Sequence, residues 1–151
     1  MEIRADDLSD PAVHRLLEEH LADMRAISLP ESKHALDLAG LRQPDVAFFT
    51  VWGEGALLGC GALKELDPTH GEIKSMRTAA AARGRGVATL MVERLLSLAR
   101  ARGYTRVSLE TGAHPFFSPA HRLYHRHGFR DGPPFAGYRE DPNSRFMCIF
   151  L

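Results

Sequence analysis

The sequence predicts an α/β (α+β) fold with a mixed sheet and helices on both faces. Three observations carry that expectation. Three runs rich in β-branched and aromatic residues, separated by tight turn signals, occupy positions 46–78. A long segment of helical period follows at 87–102. An alternating run from Arg106 to Thr111 comes directly after it. A strand reached through a helix returns parallel to the strand before that helix.

The whole chain sets the bounds. Its 151 residues suffice for one domain, 1–151, with a real core. Hydrophobic content of 44% and charged content of 25% are those of an ordinary soluble protein. Nineteen basic residues balance nineteen acidic ones, which argues against a dedicated nucleic-acid binder. The arginines still gather at 77, 83, 85, 94, 100, 102 and 106, so local positive potential coexists with neutrality. Cys60 and Cys148 lie far apart and outside any CxxC spacing, the pattern of a reduced cytoplasmic protein. No apolar run approaches a membrane span, and Met1 to Asp7 lacks the apolar core of a signal peptide.

Taken in order, residues 2–5 predict a short first strand. Ser9 or Asp10 is the N-cap expected before Pro11, which suits the first position of a helix. Val13, Leu16, Leu17, Leu21 and Met24 then recur at helical spacing. Ser28 to Pro30 breaks the pattern, and Ser32 to Leu41 predicts a second, shorter helix. Val46 to Trp52 and Ala56 to Leu66 form an expected hairpin around Gly53-Glu54-Gly55. Glu72 to Thr78 is the third strand of the meander. In the long helix, Val87, Ala88, Met91, Val92, Leu95, Leu98 and Ala99 share one face, and Gly103 ends it. Ser118-Pro119 reads as an N-cap with proline behind it, opening a helix that Gly128 closes. Residues 130–145 are rich in turn signals, and Arg145 to Leu151 is a final strand, whose exposure makes a homodimer one expectation.

The stretch that carries chemistry is Arg83-Gly84-Arg85-Gly86-Val87-Ala88. Glycine lets the main chain approach a ligand closely, and a helix start offers unpaired N–H groups and positive potential. Together they make a phosphate cradle. It matches neither GxxxxGK[ST] nor GxGxxG, and the absent P-loop lysine weakens a nucleotide-hydrolysing reading.

This loop fits every fixed position of the signature [QR]-x-x-G-x-[GA]. One helix and one strand later comes Ala120-His121-Arg122-Leu123-Tyr124-His125-Arg126-His127-Gly128-Phe129, which fits A-x-x-x-Y-x-x-x-G-F. In these two motifs the chain resembles the GNAT superfamily of acyl-coenzyme A-dependent N-acyltransferases. The resemblance is strongest over residues 72–129 and implies a mostly antiparallel sheet of six to seven strands with a splayed central pair. It implies acetyl-CoA as co-substrate, with the backbone from Arg83, Gly84, Arg85, Gly86, Val87 and Ala88 to Thr89 on its pyrophosphate. It also implies Met76, Arg77 and Thr78, following Ser75, along the pantetheine arm. Many members carry an asparagine three residues before the second motif's alanine; this chain departs from them with Phe117.

Acetyl transfer from a thioester to an amine requires a neutral amine, polarisation of the carbonyl, and a proton for the leaving thiolate. Tyr124 matches the family's usual general acid, and a phenol is protonated at neutral pH. Glu72, and behind it Glu110, are the candidate bases. His114, Phe116 and Phe117 border the expected acceptor site, with Ser28 to His34 and Pro133 to Asn143 as further walls. The expected acceptor is a small-molecule amine or an amino acid derivative. A protein N-terminus or lysine is the alternative, and a non-enzymatic acyl-CoA-binding module is a third reading. His121 and His125, four apart on one helix face with His114 as a third ligand, raise a zinc hydrolase as a rival. A zincin would carry glutamate where this chain has Arg122, so no metal is expected.

Overall fold

The computed structural model describes residues 1–26 and 38–151. One seven-stranded sheet, ordered β1-β2-β3-β4-β5-β7-β6, runs through them. Strand β1 (Glu2–Ala5) pairs with β2 (Val46–Gly53), and β2, β3 (Ala56–Asp67) and β4 (His70–Thr78) form the expected antiparallel meander. Helix α3 (Val87–Ala101) then crosses over, and β5 (Arg106–Gly112) lies parallel to β4. The last strands, β6 (Arg130–Asp131) and β7 (Ser144–Phe150), return antiparallel.

Helices cover both faces because both faces of the central strands are apolar. On one, Val87, Met91, Val92, Leu95, Leu96 and Ala99 of α3 are buried against Ile73, Val107, Leu109 and their neighbours. On the other, Val13, Leu16 and Leu17 of α1 (Pro11–Ala26) are buried with Phe48, Cys60 and Ala62. Each fully buried Leu or Val is worth about 1.5–3 kcal/mol relative to exposure. Asp10, rather than Ser9, caps α1: its Oδ1 accepts from the Ala12 N–H at 2.8 Å. Ser9 instead donates its hydroxyl to Asp7.

Strands β4 and β5 pair only from His70↔Arg106 to Ile73↔Leu109. Beyond that point β4 runs on to Thr78 and β5 to Gly112 without pairing to each other, which is the expected splay. A β-bulge lies on the free stretch of β4. The register on β3 moves from Ala62↔Lys74 to Cys60↔Arg77, so Ser75 and Met76 together oppose Gly61. Ser75 takes a left-handed φ of 55°, and its carbonyl accepts from the Cys60 thiol. Gly61 makes the space: a Cβ there would lie 2.7 Å from both Met76 Sδ and Met91 Cγ.

The structure corrects several expectations. Of the helix expected from Ser32 to Leu41, residues up to 37 lie outside the described ones, and α2 is Leu38–Leu41. Ser118 is not a cap. A 3-10 turn at Pro115–Phe117 runs straight into α4 (Ser118–Arg126), so Phe117 holds the cap position and Ser118 is already helical. Strand β4 starts at His70, two residues before the expected Glu72. The last strand sits between β5 and the short β6, which pairs only with Met147 and Cys148 and which no periodicity in residues 130–145 announces.

Candidate active site

A cavity of about 590 Å³ lies at the splay and is lined by residues from both faces of the sheet. At one end stands the glycine loop. Gly84 and Gly86 have φ of 77° and 83°, values barred to most side chains. Gly86 is the N-cap of α3 and, lacking a side chain, caps nothing itself. Among the described residues, the N–H groups of Gly84, Arg85, Gly86, Val87, Ala88 and Thr89 meet no backbone or side-chain acceptor. A turn of N–H donors at a helix N-terminus is an anion site. These residues therefore fit the pyrophosphate of coenzyme A, and the unpaired backbone edge of Met76 to Thr78 fits an amide-bearing arm.

Tyr124 lines the cavity from α4. It is 5% exposed, and its ring packs edge-on against Phe129 at 5.5 Å. Gly128, at φ 97°, ends the helix and turns Phe129 back under that ring, which is why the motif spacing Tyr-x-x-x-Gly-Phe works as a unit. Burial pushes the Tyr124 phenol above its ordinary pKa, so it stays a proton donor at neutral pH.

Glu72 lies on the opposite face, 3% exposed, with its Oε2 accepting from the Tyr138 hydroxyl at 2.7 Å. Tyr138 is itself held by Phe135 and Phe146, at ring distances of 5.0 and 5.8 Å. Glu110, at the free end of β5, accepts from the Ser144 hydroxyl at 2.8 Å. Both carboxylates line the cavity, as do Met76, Arg77, Thr78, Arg83, Phe116 and Phe117. Two expected residues do not. Arg85 is exposed and offers only its backbone to the loop. The exposed His114 is turned back on its own chain, where Nδ1 accepts from the Phe116 N–H at 3.0 Å.

The histidines of the zinc reading point to separate partners. His121 Nε2 bonds the Gly112 carbonyl at 2.8 Å, and His125 Nε2 meets Arg145 Nη2 at 3.1 Å. Among the described residues no three His, Cys, Asp or Glu side chains converge as a metal site would require.

Among the cavity residues that sequence reasoning missed are the polar side chains of His20, Lys74, Arg126 and Tyr138, while Arg77 was expected there only for its backbone. The position of Tyr138 in the Pro133 to Asn143 segment was the one available signal.

A sheet parted between two parallel strands, with an anion cradle at the following helix and a buried phenol across the gap, defines an acyl-CoA-dependent acyltransferase. The chain belongs to the acetyltransferase (GNAT) family, whose model matches residues 13–129. It is 51% identical to the Uncharacterized N-acetyltransferase YsnE of Bacillus subtilis (strain 168), over 97% of both chains. It is 37% identical to the IAA acetyltransferase of Azospirillum brasilense, over 95% of this chain and 93% of that one. A crystal structure from Klebsiella pneumoniae, provisionally assigned as an acyl-CoA N-acyltransferase, superimposes with a TM-score of 0.81 at 28% identity. The match covers 99% of this chain and 97% of that chain. The fold is also that of a GNAT family acetyltransferase from Elizabethkingia anophelis with acetyl-CoA bound (TM-score 0.70, 17% identity, 99% and 97% covered). The protein is thus an N-acetyltransferase that uses an acyl-CoA co-substrate. No helix among the described residues is long and apolar enough to cross a membrane.

Proposed function

We propose that the protein transfers an acetyl group from acetyl-CoA to the primary amine of a small molecule or amino acid derivative, by direct attack in a ternary complex. The observation that carries this reading is one continuous cavity at the splay. It joins an N–H cradle and Tyr124 on one side of the sheet to Glu72 and Glu110 on the other. The coenzyme brings the acyl group activated as a thioester. The residues around the cavity do the rest.

In this reading the N–H groups from Gly84 to Thr89 hold the pyrophosphate, and Arg83 screens its charge. The acceptor amine enters from the α1 face. Glu72, oriented by the Tyr138 hydroxyl, takes the amine proton directly or through water, with Glu110 as the second candidate. Tyr124 holds a proton at its hydroxyl and donates it to the departing thiolate. The cavity of about 590 Å³ is the size of a small-molecule site, which favours a small molecule over a protein chain. The name of the Azospirillum brasilense relative supports the same choice. The chain acts as one cytoplasmic domain and engages no nucleic acid.

The test is thiol release from acetyl-CoA across amines, amino acids and peptides, together with thermal shift by coenzyme A. Small amines are expected to release thiol, and coenzyme A to raise Tm. No shift at saturating coenzyme A overturns the coenzyme assignment. Release with peptides alone moves the function to protein acetylation.

A further inference from the structure

The α1 face of the cavity is not lined for a bare alkylamine. Besides Glu72 and Glu110 it carries two cations from the free end of β4, Lys74 and Arg77. The bulge at Ser75 and Met76 brings this about. Without it, Lys74 and Arg77, three apart, would point to opposite faces of the sheet. With it, they stand across from Ala62 and Cys60, both of which pack towards α1.

Arg77 is an incompletely satisfied guanidinium. Its side chain is 9% exposed, and Nη1 donates to Asp23 Oδ2 at 2.7 Å. That contact is through one nitrogen, to a carboxylate whose side chain is 41% exposed. Among the described residues the buried Nε–H has no partner. Guanidinium groups pair with carboxylates most strongly through two parallel N–H donors, and here one side of the fork is left unused. Beside it His20 lines the same cavity. Burial, and then the neighbouring Arg77, lower its pKa to about 4, so it stands as a neutral hydrogen-bonding group at pH 7. Lys74 Nζ is 4.0 Å from Glu72 Oε2, at the outer limit of an ion pair, with its side chain 30% exposed.

We infer that the acceptor is an amine that also carries a carboxylate, and that Arg77, with Lys74 and His20 beside it, is the subsite for that carboxylate. The arrangement matches the polarity of an amino acid. The amine lies towards Glu72 and Glu110, and the carboxylate towards Lys74 and Arg77. Entry of the carboxylate turns the Arg77 fork off its one-point contact with Asp23 and gives the buried Nε–H an acceptor. The inference rests on the small-amine reading above and narrows it.

The experiment measures thiol release from acetyl-CoA with matched acceptors: an amino acid, its carboxamide and the corresponding decarboxylated amine. Aliphatic and aromatic sets are run side by side. Wild-type protein is expected to favour the carboxylate form in kcat/KM by on the order of tenfold to a hundredfold, the worth of a charge-assisted hydrogen bond. Arg77→Gln is expected to remove that preference by raising KM for the amino acid, with the carboxamide little changed. Arg77→Lys keeps the charge without the fork and is expected to fall between. Lys74→Gln gives the same readout from a half-buried position if Arg77→Gln does not fold. Equal or better use of the carboxamide by wild type overturns the subsite and leaves the transferase standing. An equal loss for all three acceptors in Arg77→Gln also overturns it. No thiol release from any acceptor by protein that binds coenzyme A overturns the small-amine reading, and the subsite with it.

Discussion

Replacing Tyr124 by phenylalanine removes one oxygen from the cavity wall and leaves the ring. The ring keeps its 5.5 Å edge contact with Phe129 and its place in the core. Among the described residues the hydroxyl bonds to none, so its loss leaves no buried group unpaired, and stability is expected to change by less than about 1 kcal/mol. Coenzyme affinity is expected to hold as well, since the N–H cradle from Gly84 to Thr89 is untouched. What is lost is the proton for the leaving thiolate, and a positioned general acid contributes about 10²–10⁴-fold in rate. The expected result is a fall in kcat of that order with coenzyme Kd and Tm unchanged. Thiol release, calorimetric titration with coenzyme A and a thermal melt measure the three quantities. Because burial raises the phenol's pKa above its ordinary value of about 10, wild-type activity is expected to show no tyrosine-dependent loss on the alkaline side up to at least that pH. A kcat for Tyr124→Phe within about threefold of wild type refutes the acid assignment.

Three further outcomes test the rest of the site. Glu72→Gln keeps an acceptor for the Tyr138 hydroxyl but cannot take a proton, and kcat/KM at pH 7 is expected to drop about 10²-fold. An unchanged kcat/KM transfers the role to Glu110. Gly86→Ala meets no heavy atom within 4 Å, so its cost is the left-handed backbone alone, about 1–2 kcal/mol, or a few degrees in Tm for a chain of this size. Coenzyme affinity is expected to weaken about tenfold as the N–H groups lose their aim, and an unaltered Kd counts against the cradle. His20, held neutral with its pKa lowered to about 4, binds fewer protons folded than unfolded. Stability is therefore full above about pH 6.5, is lost as pH falls towards 4, and levels off below it, at a total of about 3 kcal/mol. His20→Asn is expected to flatten that part of the Tm-against-pH curve; a curve parallel to wild type removes the histidine from the acid transition.

The sequence determined by itself the parts of this protein that are local in the chain. The cradle is one turn of backbone, and Arg83 to Ala88 specify it through two left-handed glycines and the helix they open. Tyr124 and Phe129 meet because Gly128 ends a helix between them, a relation that six residues write in full. The meander and the crossover followed from strand-length runs, turn signals and the handedness of a β-helix-β connection. The tertiary structure alone decided what faces what across the sheet. Side chains alternate strictly along a strand, so the one-residue bulge at Ser75 and Met76 reassigns every later residue of β4 to a face. Neither residue announces a bulge, since its cause is the space left at Gly61 on the neighbouring strand. That bulge set Arg77 beside Asp23 and His20, from a helix more than fifty positions earlier. Tyr138 reached Glu72 from sixty-six positions later. His114, in contrast, was drawn away from the cavity by an N–H two residues along its own chain. The donor's cradle is local backbone geometry and can be read along the chain. The acceptor's walls are contacts between distant segments, and only packing brings those together.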